Sequence, residues 1–226
     1  MSSLPDRVEM TPLEITSNHE DLFFLNLQWF LSALQCSNFN MCVTWGFMYN
    51  IGVIGGSTAS EKYMSVAFEV GSLLARKKSV VFCGGLGGVM EWVSKGVADN
   101  NGIVVGILPG NVATDGNKYL SVRIPTGIGY MRNFLIVRAA DALIAIDGSS
   151  GTLSEASFAI SEGKSVVAIG DLEIDHRKPG DGIFIHASTP KEAVEIAFFS
   201  ISVLPFYSVP TYFPYIPELP QTEINI

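Results

Sequence analysis

Three short stretches of this sequence join glycine to small hydroxyl side chains in a way suited to holding an anion: Gly55-Gly56-Ser57, Gly84-Gly85-Leu86-Gly87-Gly88 and Gly148-Ser149-Ser150-Gly151-Thr152. Glycine lets the backbone come close to a phosphate and aim N–H groups at it. Each stretch follows an apolar run and opens a segment with helical spacing, so the positive end of a helix would add to the attraction. Taken alone, the first reads equally well as a tight turn, with Ser57, Thr58 or Ser60 as an ordinary helix cap. The second has four glycines in five positions. A turn needs one or two, and the excess implies close approach by a ligand or by another backbone. In the third, Glu155 falls one turn into the helix. The plain reading of it is a cap reaching back to Gly151 or Thr152.

A fourth group is Gly129-Tyr130-Met131-Arg132-Asn133. The Arg132 guanidinium offers a planar fork for phosphate or carboxylate, with the Asn133 amide beside it. The competing reading is an Arg132–Glu155 ion pair that only braces the fold. Arg138 reads as an exposed or bracing residue. No metal site is expected: Cys36 and Cys42 lack a nearby Cys/His pair, and with Cys83 they make no disulfide framework. Cysteine usage of this kind fits a reduced, cytoplasmic compartment.

The elements that must position these residues alternate regularly. Apolar runs at Asn50–Ile54, Ser79–Cys83, Ile103–Leu108, Tyr119–Ile124, Ala142–Ile146 and Val166–Ile169 read as strands. Ser60–Arg76 has helical spacing, with Tyr63, Ala67, Val70 and Leu74 on one face. Val89–Ala98, Met131–Ala139, Gly151–Ser161 and Pro190–Phe198 read as further helices. Strand, glycine turn and helix in repetition is the pattern of βαβ units. The fold expected is therefore α/β: a Rossmann-like three-layer sandwich, its sheet mostly parallel, with helices on both faces. All three glycine loops then follow strand C-terminal ends, the edge where open α/β sheets bind ligands.

Composition narrows the function classes. With 48% hydrophobic and 16% charged residues, the 226-residue chain has ample apolar surface to bury. A net charge of -8 argues against nucleic acid or an anionic membrane as a partner of the whole surface. The apolar stretch 22–34 is too short for a membrane span, and the tail is broken by Pro205, Pro210 and Pro214. The chain divides into an N-terminal extension (1–48), the α/β domain (49–200) and a tail rich in proline and aromatics (201–226).

Together, Gly84-Gly85-Leu86-Gly87-Gly88-Val89-Met90, Met131-Arg132-Asn133, Ala140-Asp141-Ala142 and Gly151-Thr152-Leu153-Ser154-Glu155 resemble the Lonely Guy superfamily, long mislabelled "lysine decarboxylase". The resemblance is strongest to its branch of molybdenum cofactor carrier proteins and covers about residues 50–198. It implies a homodimer or homotetramer. In the hydrolytic branch, which releases the base from nucleoside 5′-monophosphates, Arg132 and Glu155 would be the catalytic pair. Those enzymes have a basic residue where this chain has Asn133, and Pro-Gly-Gly where it has Asp147-Gly148-Ser149. Both departures fit a carrier better. The first reading is thus a protein that binds a small phosphorylated ligand, molybdenum cofactor as cargo, on Gly55, Gly56, Ser57, Gly84, Gly85, Gly87, Gly88, Arg132, Asn133, Gly148, Ser149, Gly151 and Thr152. A phosphoribohydrolase and a non-catalytic nucleotide sensor are the alternatives, and a decarboxylase is not expected, since nothing marks a pyridoxal-binding lysine.

Overall fold

A computed structural model describes residues 48–148, 150–174, 178 and 180–203. The N-terminal extension up to residue 47, the tail from residue 204, and Ser149 of the third glycine loop lie outside the described residues, as do Cys36 and Cys42. Among the described residues the chain runs β1 (Asn50–Gly55), α1 (Glu61–Arg76), β2 (Val80–Cys83), α2 (Val89–Asp99), β3 (Ile103–Leu108), β4 (Val122–Pro125), α3 (Asn133–Ala139), β5 (Ala142–Ile146), α4 (Ser150–Ser161), β6 (Val166–Ile169), β7 (Phe184–His186) and α5 (Pro190–Val203). The strands form one seven-stranded sheet in the order β4-β3-β2-β1-β5-β6-β7, with every pairing parallel. This is the Rossmann-like α/β architecture expected from the sequence.

Continuously apolar strands are explained by burial on both faces. In β5, Ile144 and Ile146 enter the core beneath α1, α2 and α5, while Leu143 and Ala145 enter the core beneath α3 and α4. β1 divides likewise, Ile51 and Val53 to one side and Ile54 to the other. On α1, the predicted stripe is the buried face: Ala67, Val70 and Leu74 are fully covered and Tyr63 packs at the edge. α1 and α2 approach backbone to backbone at two glycines. A Cβ on Gly71 would meet the Val93 carbonyl oxygen, and one on Gly96 the Phe68 carbonyl oxygen.

Local boundaries differ from expectation where tertiary contacts intervene. The strand expected at Tyr119–Ile124 begins only at Val122, because Leu120 turns inward, buried, toward Gly106 and Gly116. The helix expected from Met131 opens with a 3-10 turn at Gly129–Arg132 before α3 begins. Gly129, at φ 60°, is tied by its N–H to the Pro109 carbonyl at 3.0 Å, which fixes that turn against the loop after β3. β7 is three residues long and gives no periodic signal; α5 continues five residues past the expected end at Phe198.

The two central strands, β1 and β5, are neighbours whose connections leave in opposite directions. β1 leads by α1 to β2 on one side, and β5 leads by α4 to β6 on the other. The strand order therefore reverses between Gly55 and Ile146, which pair in register. Beyond that point a crevice opens at the carboxyl ends of the strands.

Candidate functional site

The crevice is a cavity of about 1030 Å³. One side is the turn after β1, Gly55-Gly56-Ser57, and opposite stands the first turn of α4, with Ser150, Gly151, Thr152 and Ser154. Gly84, at the end of β2, forms part of the floor with Met90. Arg132, Asn133 and Glu155 complete the polar lining. A third wall is apolar: Ile128, Tyr130, Met131, Phe134, Leu135 and Phe158.

Glycine at two positions, Gly84 and Gly148, has a specific reason here. At Gly84 a side chain would occupy the place of the Arg132 guanidinium. Gly148 lies at φ 145° with the Thr152 side chain against its α-carbon. Among the described residues, Gly151 has nothing within 4 Å of where a Cβ would stand, so the α4 N-terminus faces open space. The first-turn N–H groups of this twelve-residue helix have no intrahelical acceptor and point that way.

Arg132 and Glu155 are the charged core of the site. Both side chains are more than nine-tenths buried, and Nη1 of Arg132 stands 3.7 Å from Oε1 of Glu155. That is charge contact without a well-formed hydrogen bond. Nε of Arg132 is buried and, among the described residues, has no hydrogen-bond partner. Burial pushes the Glu155 carboxyl up to about 7, a rise that the nearby guanidinium only partly offsets. Burial likewise lowers the Arg132 pKa, opposed by Glu155 and more weakly by the Cys83 thiol. A guanidinium with an orphaned buried donor and one loosely held partner is prepared to take an anion.

The remaining predicted residues separate into two groups. Gly55, Gly56, Ser57, Gly84, Arg132, Asn133, Gly151, Thr152 and Glu155 share the cavity lining. Gly85, Gly87, Gly88 and Gly148 stand outside it. Gly85, at φ 72°, lies against Leu108 and the Gly106 backbone, and Gly88, at φ 62°, against the backbone of Gly56 and Ser57. The glycine excess in this loop therefore serves backbone-on-backbone approach: the Val89 N–H donates to the Gly56 carbonyl at 3.0 Å and locks the first two loops together. Asp147 bends away at φ 51°, its N–H donating to the Ile169 carbonyl, and takes no part in the lining.

Two supports were not visible as motifs. Lys164, half-buried, donates from Nζ to the carbonyls of Val137, Arg138 and Ala140 at 2.6, 3.2 and 2.6 Å, closing the C-terminus of α3. The apolar wall is built from the turn before α3 and from α3 and α4, where Phe134 meets Phe158 edge to face at 5.6 Å. Its signal in the sequence was apolar residues on the outer side of short helices: Leu135, Leu153 and Phe158 all remain exposed. Arg138 pairs with Glu162 at 2.9 Å on the surface, the bracing role expected of it.

The chain is similar to several known proteins. A protein of Archaeoglobus fulgidus without assigned function is 40% identical over 147 residues, covering 65% of this chain and 93% of that one. The rice protein named probable cytokinin riboside 5′-monophosphate phosphoribohydrolase LOGL3 is 32% identical over 161 residues, 66% of this chain and 72% of its own. The structure of the molybdenum cofactor binding protein from Rippkaea orientalis superposes with a TM-score of 0.63 at 28% identity, covering 69% of this chain and 99% of that one. Residues 48–194 match the SLOG cluster4 family, and the chain belongs to it, within the Lonely Guy-like superfamily and beside its molybdenum cofactor carrier branch.

Proposed function

We propose that this protein binds a small phosphorylated molecule in the β1–β5 crevice and holds it without turning it over, the ligand being molybdenum cofactor. One observation carries the reading: a buried guanidinium with an unpartnered donor lies in the same cavity as an open α4 N-terminus. The two together suit a phosphate. The apolar wall of Phe134, Phe158, Tyr130 and Met131 suits a flat ring system such as a pterin. A volume of about 1030 Å³ is ample for a nucleotide-sized ligand. The similarity to the Rippkaea orientalis protein supports this cargo.

Hydrolysis of a nucleoside 5′-monophosphate is the second reading. It is favoured by the pairing of Arg132 with Glu155 inside the cavity and by the similarity to the rice protein. A carboxylate there could stabilise an oxocarbenium-like ribose, with the guanidinium keeping it in register. Against it stand Asn133 and the Asp147-Gly148 approach to α4.

Purified full-length chain is offered molybdenum cofactor and, separately, a panel of nucleoside 5′-monophosphates. The carrier reading expects retained pterin, detected by fluorescence after acid release, and no free base. Free base released by the wild type and abolished by Glu155→Ala would replace it with the hydrolase; nucleotide binding with neither outcome would favour a sensor. The exposed apolar residues Tyr130, Met131 and Leu135 at the cavity support a homodimer or homotetramer. Light scattering showing a monomer at micromolar concentration would reject the assembly.

A further inference from the structure

We propose that Glu155 is an internal competitor for Arg132: an anion loading the cavity displaces Glu155 from the guanidinium, and the released carboxylate takes up a proton from solvent. Ligand uptake is then proton-linked, favoured by acid and opposed by base. The proposal rests on reading the cavity as the site of a phosphorylated ligand.

Charge balance drives the exchange. Among the described residues lining the cavity, Arg132 is the single cation and Glu155 the single carboxylate. While the cavity is free, each offsets the other at 3.7 Å, and neither has a good hydrogen bond to show for it. A dianion arriving at the α4 N-terminus and Arg132 leaves Glu155 as an excess buried negative charge next to the newcomer. Like charges in a poorly solvated site cannot all remain ionised. Protonation of the carboxylate removes one of the two excess negative charges, with no other bond made or broken, and the positive end of α4 faces the other.

Among the described residues, no other charged group facing the pair can absorb the excess. From the end of β2 comes the Cys83 thiol, whose pKa burial raises, so it stays neutral. From the turn before α3 and its first residue come Arg132 itself and the neutral Asn133. The turn after β1 supplies Ser57; α4 supplies Thr152 and Ser154. Farther off, Arg138 and Glu162 neutralise each other across α3 and α4, and Lys164 is engaged by the carbonyls ending α3. Asp147, following β5, lies outside the cavity lining. That the Glu155 carboxyl already titrates at about 7 places the exchange within a readily accessible pH range.

Sulfate is a suitable probe, because it stays a dianion from about pH 6 to about pH 8 and contributes no proton of its own. Calorimetric titration of the full chain should show affinity falling about tenfold over that interval, as expected for a group titrating at about 7 in the free protein and higher in the complex. Heats in two buffers of different ionisation enthalpy should report net uptake of about half a proton per sulfate at about pH 7, rising toward one at about pH 8. Glu155→Gln should bind with no pH dependence and, at about pH 8, as tightly as wild type at about pH 6. Wild-type binding that is flat with pH and takes up no proton overturns the proposal and leaves the anion site standing. Absence of sulfate binding in both proteins at every pH overturns the site as well. Should Glu155→Gln fail to fold, the two-buffer measurement on the wild type decides by itself.

Discussion

Gly84 and the guanidinium of Arg132 compete for one volume: a Cβ on residue 84 would stand 2.5 Å from Nη1 and 2.5 Å from the Met90 sulfur. The glycine that looked like a phosphate ligand by its type thus holds the site open for the arginine. Gly84→Ala should push Arg132 out of position. The expected result is at least a tenfold loss of anion binding with an overpacking cost of about 1–3 kcal/mol. Titration and thermal unfolding of the same preparation separate the two effects; unchanged binding would show that Arg132 does not need this niche.

Gly151 makes the opposite case. Among the described residues a methyl there meets no atom of another residue within 4 Å, and its place in the first turn of α4 suits alanine. Gly151→Ala should leave stability unchanged or raise it by about 0.4–1 kcal/mol through the unfolded chain. It should nevertheless weaken anion binding several-fold, since the methyl projects into the cavity. Stability preserved together with full affinity would mean that the ligand does not use this helix end.

Glu155 should make stability fall as pH rises. Its carboxyl in the native protein is raised to about 7 from an ordinary value near 4.5. Between those limits the native state keeps a proton that the unfolded chain has lost, so stability present below the lower value is lost as pH climbs through the upper one. Glu155→Gln removes this dependence. The difference in melting midpoint, variant minus wild type, should grow by several degrees from about pH 5 to about pH 7.5. A constant difference would refute burial as the dominant influence on Glu155.

Lys164 should matter for stability despite its distance from the loops. Lys164→Met leaves three carbonyls at the end of α3 without their shared donor, at a cost of about 1–3 kcal/mol. Denaturant titration would measure it, and Lys164→Arg should recover part of the loss. A neutral Lys164→Met would mean that solvent satisfies those carbonyls equally well.

Much of the fold was legible because strands and helices in an α/β sheet carry their own periodic marks. The runs at Ile103–Leu108, Ala142–Ile146 and Val166–Ile169 were read with their observed boundaries, since burial on both faces leaves no polar residue to blur them. β4 was misplaced because it is a short edge strand with exposed Val122 and Ile124, so its pattern is weak and Leu120 competes for attention. In the site, the types and chain positions of Arg132, Glu155, Gly55, Gly56 and Gly151 were enough to nominate them. The roles of the individual glycines in 84–88 were not legible, because a glycine beside a ligand and one beside a backbone look alike in one dimension.

What the sequence by itself determined is the alternation of elements and the placing of glycine loops after strands, both consequences of local backbone preference and hydrophobic period. Which strands are neighbours is a non-local matter. Only the tertiary structure set β1 beside β5 and so put the crevice between Gly55 and Ile146. Only it brought residues 84, 132 and 155 together, buried Arg132 and Glu155 at a loose 3.7 Å, and raised the carboxyl toward neutrality. The physical reason is that desolvation and charge pairing depend on what surrounds a side chain in space, and a buried pair joined across twenty-three residues of chain acquires those surroundings only when the sheet closes around it.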